Sequence, residues 1–312
     1  MCLYPKFILN RKYVPNKKNG GNPPTMKDER TKYVPVGCGK CMECMKQKAM
    51  RWQVRLHEEI RVNPRADYVT LSFSEESLIK LDNKLNGAKD KLSGYNLDNK
   101  MAILGVRLFL ERWRKQFKTS LKHWLVTELG HVNTERIHIH GLIWPDYPRE
   151  YVTKIWQYGN VWFGDYVNEK TINYIIKYIN KQDEDHKYYT PVILTSPGIG
   201  SGYLKRVDKE RNKFRGKDTI EYYTTRNGIK LPLPIYYRNK IYSDDEREEL
   251  WLNLLDKQIR YVTGIKIDVS ETEEHYEALV KQQRKLNKEL GYGDNEIDWD
   301  KKRYEQQQQN IS

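Results

Sequence analysis

The sequence predicts an α+β fold, an antiparallel β-sheet with flanking helices and a helical C-terminal extension. Three observations carry it. Two apolar segments, 123–129 (HWLVTEL) and 137–144 (IHIHGLIW), are separated by one short polar loop, which makes an antiparallel hairpin the natural pairing. Segments 100–118 and 169–180 instead repeat apolar residues at helical spacing. The 312 residues carry 38% hydrophobic residues with 8 Trp and 23 Tyr, enough for a real core and inconsistent with a disordered basic tail.

Along the chain, residues 15–36 are rich in Pro, Gly and Asn and read as a mobile loop. Residues 43–62 read as a helix with Met50, Val54 and Leu56 inward and Lys48, Arg51 and Arg55 outward. Residues 68–73 (YVTLSF) form a strand by their β-branched and aromatic content, stopped by the SEES cluster. Residues 82–98 look like a surface insertion, and 100–118 a strong helix with Leu104, Leu108 and Phe109 among its apolar positions. After the hairpin come a helix at 150–158, an edge strand at 161–167 and a helix at 169–180. SPGIGSGYL is a Gly-rich turn, 219–225 and 229–237 are hairpin-like, and 243–260 is a long helix capped by Ser243 or Asp244. The organisation expected is a basic, Cys-containing segment (1–65), a core (66–205), a strand/helix extension (206–293) and a disordered tail (294–312).

Charge is uneven. The formal net charge is +13; residues 1–65 hold 15 Lys/Arg against 5 Asp/Glu, whereas residues 243–312 hold 11 against 17. A basic front and middle suit a polyanion, and an acidic end suits a scaffold or protein contact. No run reaches the 18 apolar residues of a membrane span, and MCLYPKFILNRKY lacks the apolar core of a signal peptide. Four cysteines are too few for a disulfide scaffold of this size, so an intracellular, reducing compartment is expected.

His138-Ile139-His140 is the sharpest chemical feature. Strand alternation points both imidazoles one way and Ile137, Ile139 and Ile143 the other, a ready metal-binding pair. A turn at 130–136 brings Glu128 near the level of His138, on the side of Trp124 and Val126, across from the histidines. Two imidazoles and a carboxylate give a mixed set suited to Mg²⁺, Mn²⁺ or another first-row ion with open positions. On the 169–180 helix, Tyr174, Lys177, Tyr178 and Lys181 form one stripe, and Ile172, Ile175, Ile176 and Ile179 the opposite one. For the tyrosines to face a metal, other structure must cover the isoleucines, and residues 190–260 are the expected cover. Two tyrosines one turn apart beside a metal suit attack on a phosphodiester, leaving a 5′-phosphotyrosine and a free 3′-OH. Lys177 would stabilise the phenolate or transition-state charge.

Cys38, Cys41 and Cys44 form a C-x2-C-x2-C run that Cys2 could complete into a tetrahedral Zn²⁺ site. Three reduced thiols at a helix start and an iron–sulfur cluster are the alternatives. The zinc reading is a knuckle presenting Lys46, Lys48, Arg51 and Arg55 to DNA.

Glu128, IHIHGLIW and YIIKYINK resemble the motifs of two-tyrosine HUH endonucleases, the rolling-circle replication initiators. VGCGKCMECMKQKAMRWQVR at 36–55, with MCLYPKFILNRKY, resembles the replication initiation proteins of microviruses, the gokushovirus group of small single-stranded DNA phages. The resemblance covers most of residues 1–205. It implies an HUH (Rep-like) core, with His138 and His140 as ligands of Mg²⁺ or Mn²⁺, Glu128 as third ligand, and Tyr174 and Tyr178 as nucleophiles. It further implies a nickase and strand transferase in the host cell cytoplasm, acting on single-stranded and origin DNA, with host replication proteins as partners. The competing reading is a non-catalytic basic DNA- or RNA-binding module with a structural Cys cluster. A histidine-triad hydrolase would need a third alternating histidine, and position 142 is leucine.

Overall fold

The computed structural model describes residues 2–86, 92–130, 135–182 and 185–294. Strands β1 (Lys6–Leu9) and β2 (Tyr33–Val36) form a small antiparallel ribbon. Between them, the 15–36 stretch is a chain of 3₁₀ turns capped by the side chains of Asn10, Asn16 and Asp28, more ordered than its composition suggests. Helix α1 (Met42–Val62) follows, then β3 (Asp67–Leu71), α2 (Glu75–Asn86) and α3 (Gly94–Phe117). The SEES cluster therefore starts a helix as well as ending a strand. Ser74 caps it by accepting from the Ser77 amide, and Leu78, Leu81 and Leu85 face the core, so most of the expected 82–98 insertion is helical; residues 87–91 lie outside the described residues.

Next come β4 (Lys122–Leu129), β5 (Ile137–Trp144), α4 (Arg149–Trp156), β6 (Val161–Phe163), α5 (Glu169–Ile175), α6 (Lys177–Asn180) and β7 (Ile193–Thr195). The main sheet has the order β6-β3-β5-β4-β7, every neighbouring pair antiparallel. The HxH strand is thus central and β6 is an edge. One face packs on α2, α3 and α4 through Leu71, Phe109, Trp113, Leu125, Ile139 and Trp156. The other packs on α1, α5 and α6 through Met45, Leu56, Trp124, Leu142, Ile175 and Ile179. Three layers result, α/β/α, with the chemistry-bearing residues in the gap between the sheet and α5–α6.

Gly141 brings β4 and β5 close together. A Cβ there would lie 2.1 Å from the Trp124 carbonyl oxygen, so only glycine permits this approach between His140 and Leu142.

The C-terminal part holds β8 (Tyr222–Thr224), β9 (Lys230–Pro232), α7 (Ile235–Ile241) and α8 (Asp244–Asp256). Helix α8 is shorter than the expected 243–260 and begins with a Ser243–Glu246 capping box. The rest of that stretch turns at Gln258 into the hairpin β10 (Ile259–Val262) and β11 (Ile265–Asp268). It closes on Thr263 and Gly264, both at positive φ, as a two-residue hairpin turn needs. Helix α9 (Glu274–Glu289) follows. The expected tail lies outside the described residues from 295 onward, while Asp294 is buried. No helix among the described residues is long and apolar enough to cross a membrane.

Helix α1 joins the parts. Its buried Glu59 accepts from Lys122 Nζ (2.5 Å) and the Gly200 amide (2.7 Å). Its buried Glu58 accepts from Tyr223 (2.5 Å) and Arg206 (2.6 Å). The basic face expected to point outward is largely spent inside the protein. Arg55 donates to the Ile199 carbonyl (2.9 Å) and lies between the rings of Trp52 and Tyr236, while Lys48 and Arg51 are half-buried. Burial lowers the pKa values of all three, and only Lys46 is fully exposed. These long side chains pack their stems against aromatic rings, which residue type alone does not foretell.

Candidate active site

The β4–β5 register pairs Glu128 with His138 and Val126 with His140, so the carboxylate and both imidazoles share one sheet face. Next to them on β3, Thr70 pairs with His140. The Glu128 carboxylate accepts from His140 Nε2 (2.8 Å) at one oxygen and from Lys181 Nζ (2.5 Å) at the other. The far nitrogen of His140, Nδ1, lies 3.0 Å from Thr70 Oγ1 and 3.3 Å from the Tyr68 hydroxyl. Such a contact behind a potential ligand nitrogen fixes the ring's orientation.

Burial pushes the Glu128 carboxyl up, but hydrogen bonds from His140 and Lys181 outweigh it and hold the group below its ordinary value. Burial, reinforced by neighbouring His140, lowers the pKa of His138 and keeps its imidazole neutral near pH 7.

The tyrosine stripe lies over this face. The segment is two abutting helices with a break at Ile176, where the periodicity predicts one continuous helix; backbone angles at the break remain right-handed, so the stripe persists. Ile172, Ile175 and Ile179 are buried, and α1 together with the sheet covers them, with residues 190–260 contributing little beyond Ile193 and Ile199. Tyr178 stacks on His140 with ring centroids 4.4 Å apart and planes 5° from parallel. Its hydroxyl donates to that of Tyr174 at 2.7 Å. Tyr174 is 51% exposed and meets the Tyr68 ring edge-on. Burial, then the Tyr174 hydroxyl and the Glu128 charge, push the Tyr178 phenol well above its ordinary pKa.

Lys177 lies exposed at the start of α6. The lysine brought onto the carboxylate is Lys181, one turn later, with its ammonium also 5.8 Å from the centre of the Tyr178 ring. Sequence spacing put both lysines on the stripe; only the register of α6 against β4 distinguishes them.

Among the described residues, the one group of three or more metal-type ligands with donor atoms gathered together is Cys2, Cys38, Cys41 and Cys44. Glu128, His138 and His140 share a face but do not close into such a group, because Glu128 is engaged by His140 and Lys181. The donor chemistry still fits a divalent cation. Glu128 already holds one positive group in the Lys181 ammonium, and two imidazoles stand on its face.

Two further residues extend the face. Trp162 on the edge strand pairs with Thr70, so its side chain lies on the histidine side, 57% exposed and edge-on to Tyr68 at 5.7 Å. At the other end, a groove between α1 and the β8–β9 hairpin is lined by Gln53, Arg61, Lys170, Asn173 and Arg226, reaching the residue before Tyr174. Neither feature has a sequence motif; alternation in YVTLSF fixes the face of Tyr68 and Thr70 only once β3 is paired.

Residues 89–183 match a family described as replication-associated protein ORF2. The match supports a replication protein. It spans under a third of the chain but contains Glu128, both strand histidines, both tyrosines and Lys181. No curated protein and no solved structure matches the chain.

Proposed function

We propose that this replication-associated chain is a site-specific single-strand DNA endonuclease and strand transferase of the two-tyrosine HUH kind. It nicks and rejoins origin DNA to initiate and terminate rolling-circle replication of a small single-stranded DNA phage genome. The observation that carries the reading is the hydrogen-bonded Tyr174–Tyr178 pair, stacked over His140 beside Glu128.

In this reading the Tyr174 oxygen attacks the scissile phosphorus. The bond to the 3′ oxygen breaks, that oxygen takes a proton, and the 5′ phosphate stays on the tyrosine, so the energy of the broken link is conserved for rejoining without ATP. Tyr174 attacks first because it is the exposed member and its oxygen accepts the Tyr178 hydrogen bond, which stabilises a developing phenolate. Tyr178, held as a neutral phenol by burial, is reserved for the second transfer. Glu128, His138 and His140 would hold Mg²⁺ or Mn²⁺, which when bound supplies a Lewis acid for the scissile phosphate. Lys181 keeps positive charge beside both the carboxylate and the Tyr178 ring. The exposed Trp162 and the basic groove toward Arg226 offer a stacking surface and a phosphate track for single-stranded DNA.

A 3′-labelled single-stranded origin oligonucleotide tests this with Tyr174→Phe, Tyr178→Phe and the double variant. The expected result is a metal-dependent covalent adduct that Tyr174→Phe slows by about 100-fold or more and the double variant abolishes. An adduct formed at the wild-type rate by the double variant overturns the assignment. Salt-sensitive binding with no cleavage by the wild type returns the chain to the non-catalytic alternative.

A further inference from the structure

The four cysteines come from the chain start and from the turn and first turn of α1, yet their sulfurs all lie within 4.8 Å of one another. Cys2 and Cys41 are 3.9 Å apart at sulfur, as are Cys38 and Cys44. All four are free thiols. These separations are far too long for a disulfide, whose sulfurs lie about 2.05 Å apart. They match the edge of a tetrahedron of thiolates around one ion, about 3.8 Å for a zinc–sulfur distance near 2.3 Å. An iron–sulfur cage binds each thiolate to a different iron and would hold the sulfurs further apart.

The surroundings favour thiolates. Backbone amides of Tyr4 (3.3 Å) and Cys38 (3.2 Å) donate to Cys2 Sγ, and those of Lys40 (3.5 Å) and Cys41 (3.3 Å) to Cys38 Sγ. Cys41 is the N-cap of α1 and Cys44 lies in its first turn, at the positive end of the helix dipole. Gly39, at φ +78°, makes the turn that folds Cys38 back toward Cys41. Hydrogen bonds from Cys2 lower the Cys38 thiol and raise those of Cys41 and Cys44, so successive charges oppose one another and four thiolates need a cation to coexist.

The cluster also sits at a junction. Leu3, Tyr4, Val262, Ile267 and Val269 wall it, with Leu279 of α9 packed behind. Arg284 donates to the Leu3 carbonyl (2.8 Å), and Asn287 accepts from the Met42 amide (2.9 Å). Asn287 also donates to the carbonyls of Tyr292 (3.2 Å) and Gly293 (3.3 Å), and the Tyr292 hydroxyl donates to the carbonyl of Asn180 (2.7 Å), at the end of the helix carrying Tyr178.

We propose that Cys2, Cys38, Cys41 and Cys44 hold one Zn²⁺ ion whose task is architectural: it clamps the chain start, α1, the β10–β11 hairpin and α9 together, and through Asn287 and Tyr292 steadies the end of the tyrosine helix. This replaces the zinc knuckle that presents α1 to DNA, since Arg55 and its neighbours point into the protein. The inference is independent of the nicking reading, because its test needs no DNA.

Full-length protein purified without chelator is analysed for metals, then titrated with a mercurial while released zinc is read by a chromogenic chelator. The expected result is about one zinc per chain, released in step with modification of the four thiols. Amide exchange on the demetallated protein should then accelerate about tenfold or more in α9 and in Lys177–Asn180. Protein without zinc whose four thiols react freely in the folded state overturns the proposal, as does stoichiometric iron with visible absorbance. Zinc that leaves with no change in exchange in those two helices overturns the clamp. All three measurements use the wild-type chain, so a misfolded variant cannot decide them.

Discussion

At the cysteine centre, four sulfurs stand at near-tetrahedral spacing inside a wall of Leu3, Val262 and Ile267, with backbone amides already pointed at them. On the histidine face, by contrast, two imidazoles and a carboxylate line one sheet surface, and a lysine ammonium occupies the carboxylate. The first arrangement is closed, its donors contacting each other; the second is open, its donors drawn from β4, β5 and α6 and faced by an exposed tyrosine. Structural ions need a complete shell and no access, whereas a site that acts on a phosphodiester must leave room for it. Nearly the same kinds of ligand therefore serve opposite purposes, and their neighbours tell which.

Exchanging the insult between the two sites is the strongest way to break this comparison. Cys38→Ser removes one of four donors from the closed site and should cost about 3 kcal/mol or more of folding stability, read by chemical denaturation of the full chain. His140→Ala should leave stability within about 1 kcal/mol, yet cut metal-dependent adduct formation by about 1000-fold. Were the histidine variant the one that unfolds while the cysteine variant keeps both stability and activity, the roles assigned to the two regions would be reversed.

pH sharpens the contrast at the open site. Burial holds the His138 pKa below the ordinary value near 6.5, so the folded chain keeps this imidazole neutral at pH values where the unfolded chain has begun to protonate it. A depressed histidine pKa means that stability is lost as pH falls through the unfolded value near 6.5. Ligation requires the same neutral form, so adduct formation should fall by about tenfold per pH unit once His138 protonates. His138→Gln should remove that step from the pH profile; a step that survives in this variant belongs to another group.

Much of the open site was legible in the sequence because it is written in local periods. Alternation in IHIHGLIW put His138 and His140 on one face, the short loop brought Glu128 to their level, and a 3.6-residue period separated Tyr174 and Tyr178 from the isoleucines. What joins distant segments was not legible. Nothing near Ile175 or Ile179 says that α1 covers them, and nothing in YIIKYINK says that Lys181 rather than Lys177 meets Glu128. Helix α9 has no clear sequence signature because Tyr276 and Leu279 are nearly all the apolar signal in a very polar stretch, which folds by packing against the cysteine centre. The four cysteines were legible as a set, but their purpose was not: residue type suggested a basic helix offered to DNA, and only packing showed Arg55 sandwiched between Trp52 and Tyr236.

At the rim of the open site, Trp162 offers a large exposed ring on the edge strand, in register with Thr70. Its exposure means the folded chain gains little from it, so Trp162→Ala should leave the melting temperature nearly unchanged. Base–aromatic stacking makes the same change weaken single-stranded DNA binding by about 1–3 kcal/mol, measured by fluorescence anisotropy at fixed salt. Tyr166→Ala serves as the control, an even more exposed aromatic (70%) outside the sheet register. Equal losses from both would point to general aromatic stickiness, and a loss confined to Trp162 to a track across the histidine face.

The smallest expected effect links the two regions. Tyr292→Phe deletes one hydroxyl and its hydrogen bond to the Asn180 carbonyl while keeping the ring in place. A hydrogen bond of this kind contributes about 1 kcal/mol, so global stability should drop by no more than that, and zinc content should stay as in the wild type. The informative readout is local. If the C-terminal segment steadies the tyrosine helix, amide exchange in Lys177–Asn180 should rise in this variant while exchange in α1 does not, and the second strand transfer, assigned to Tyr178, should slow more than the first cut, assigned to Tyr174. A uniform small destabilisation, with both steps slowed alike, would make Tyr292 an ordinary packing residue and leave the closed and open sites energetically separate.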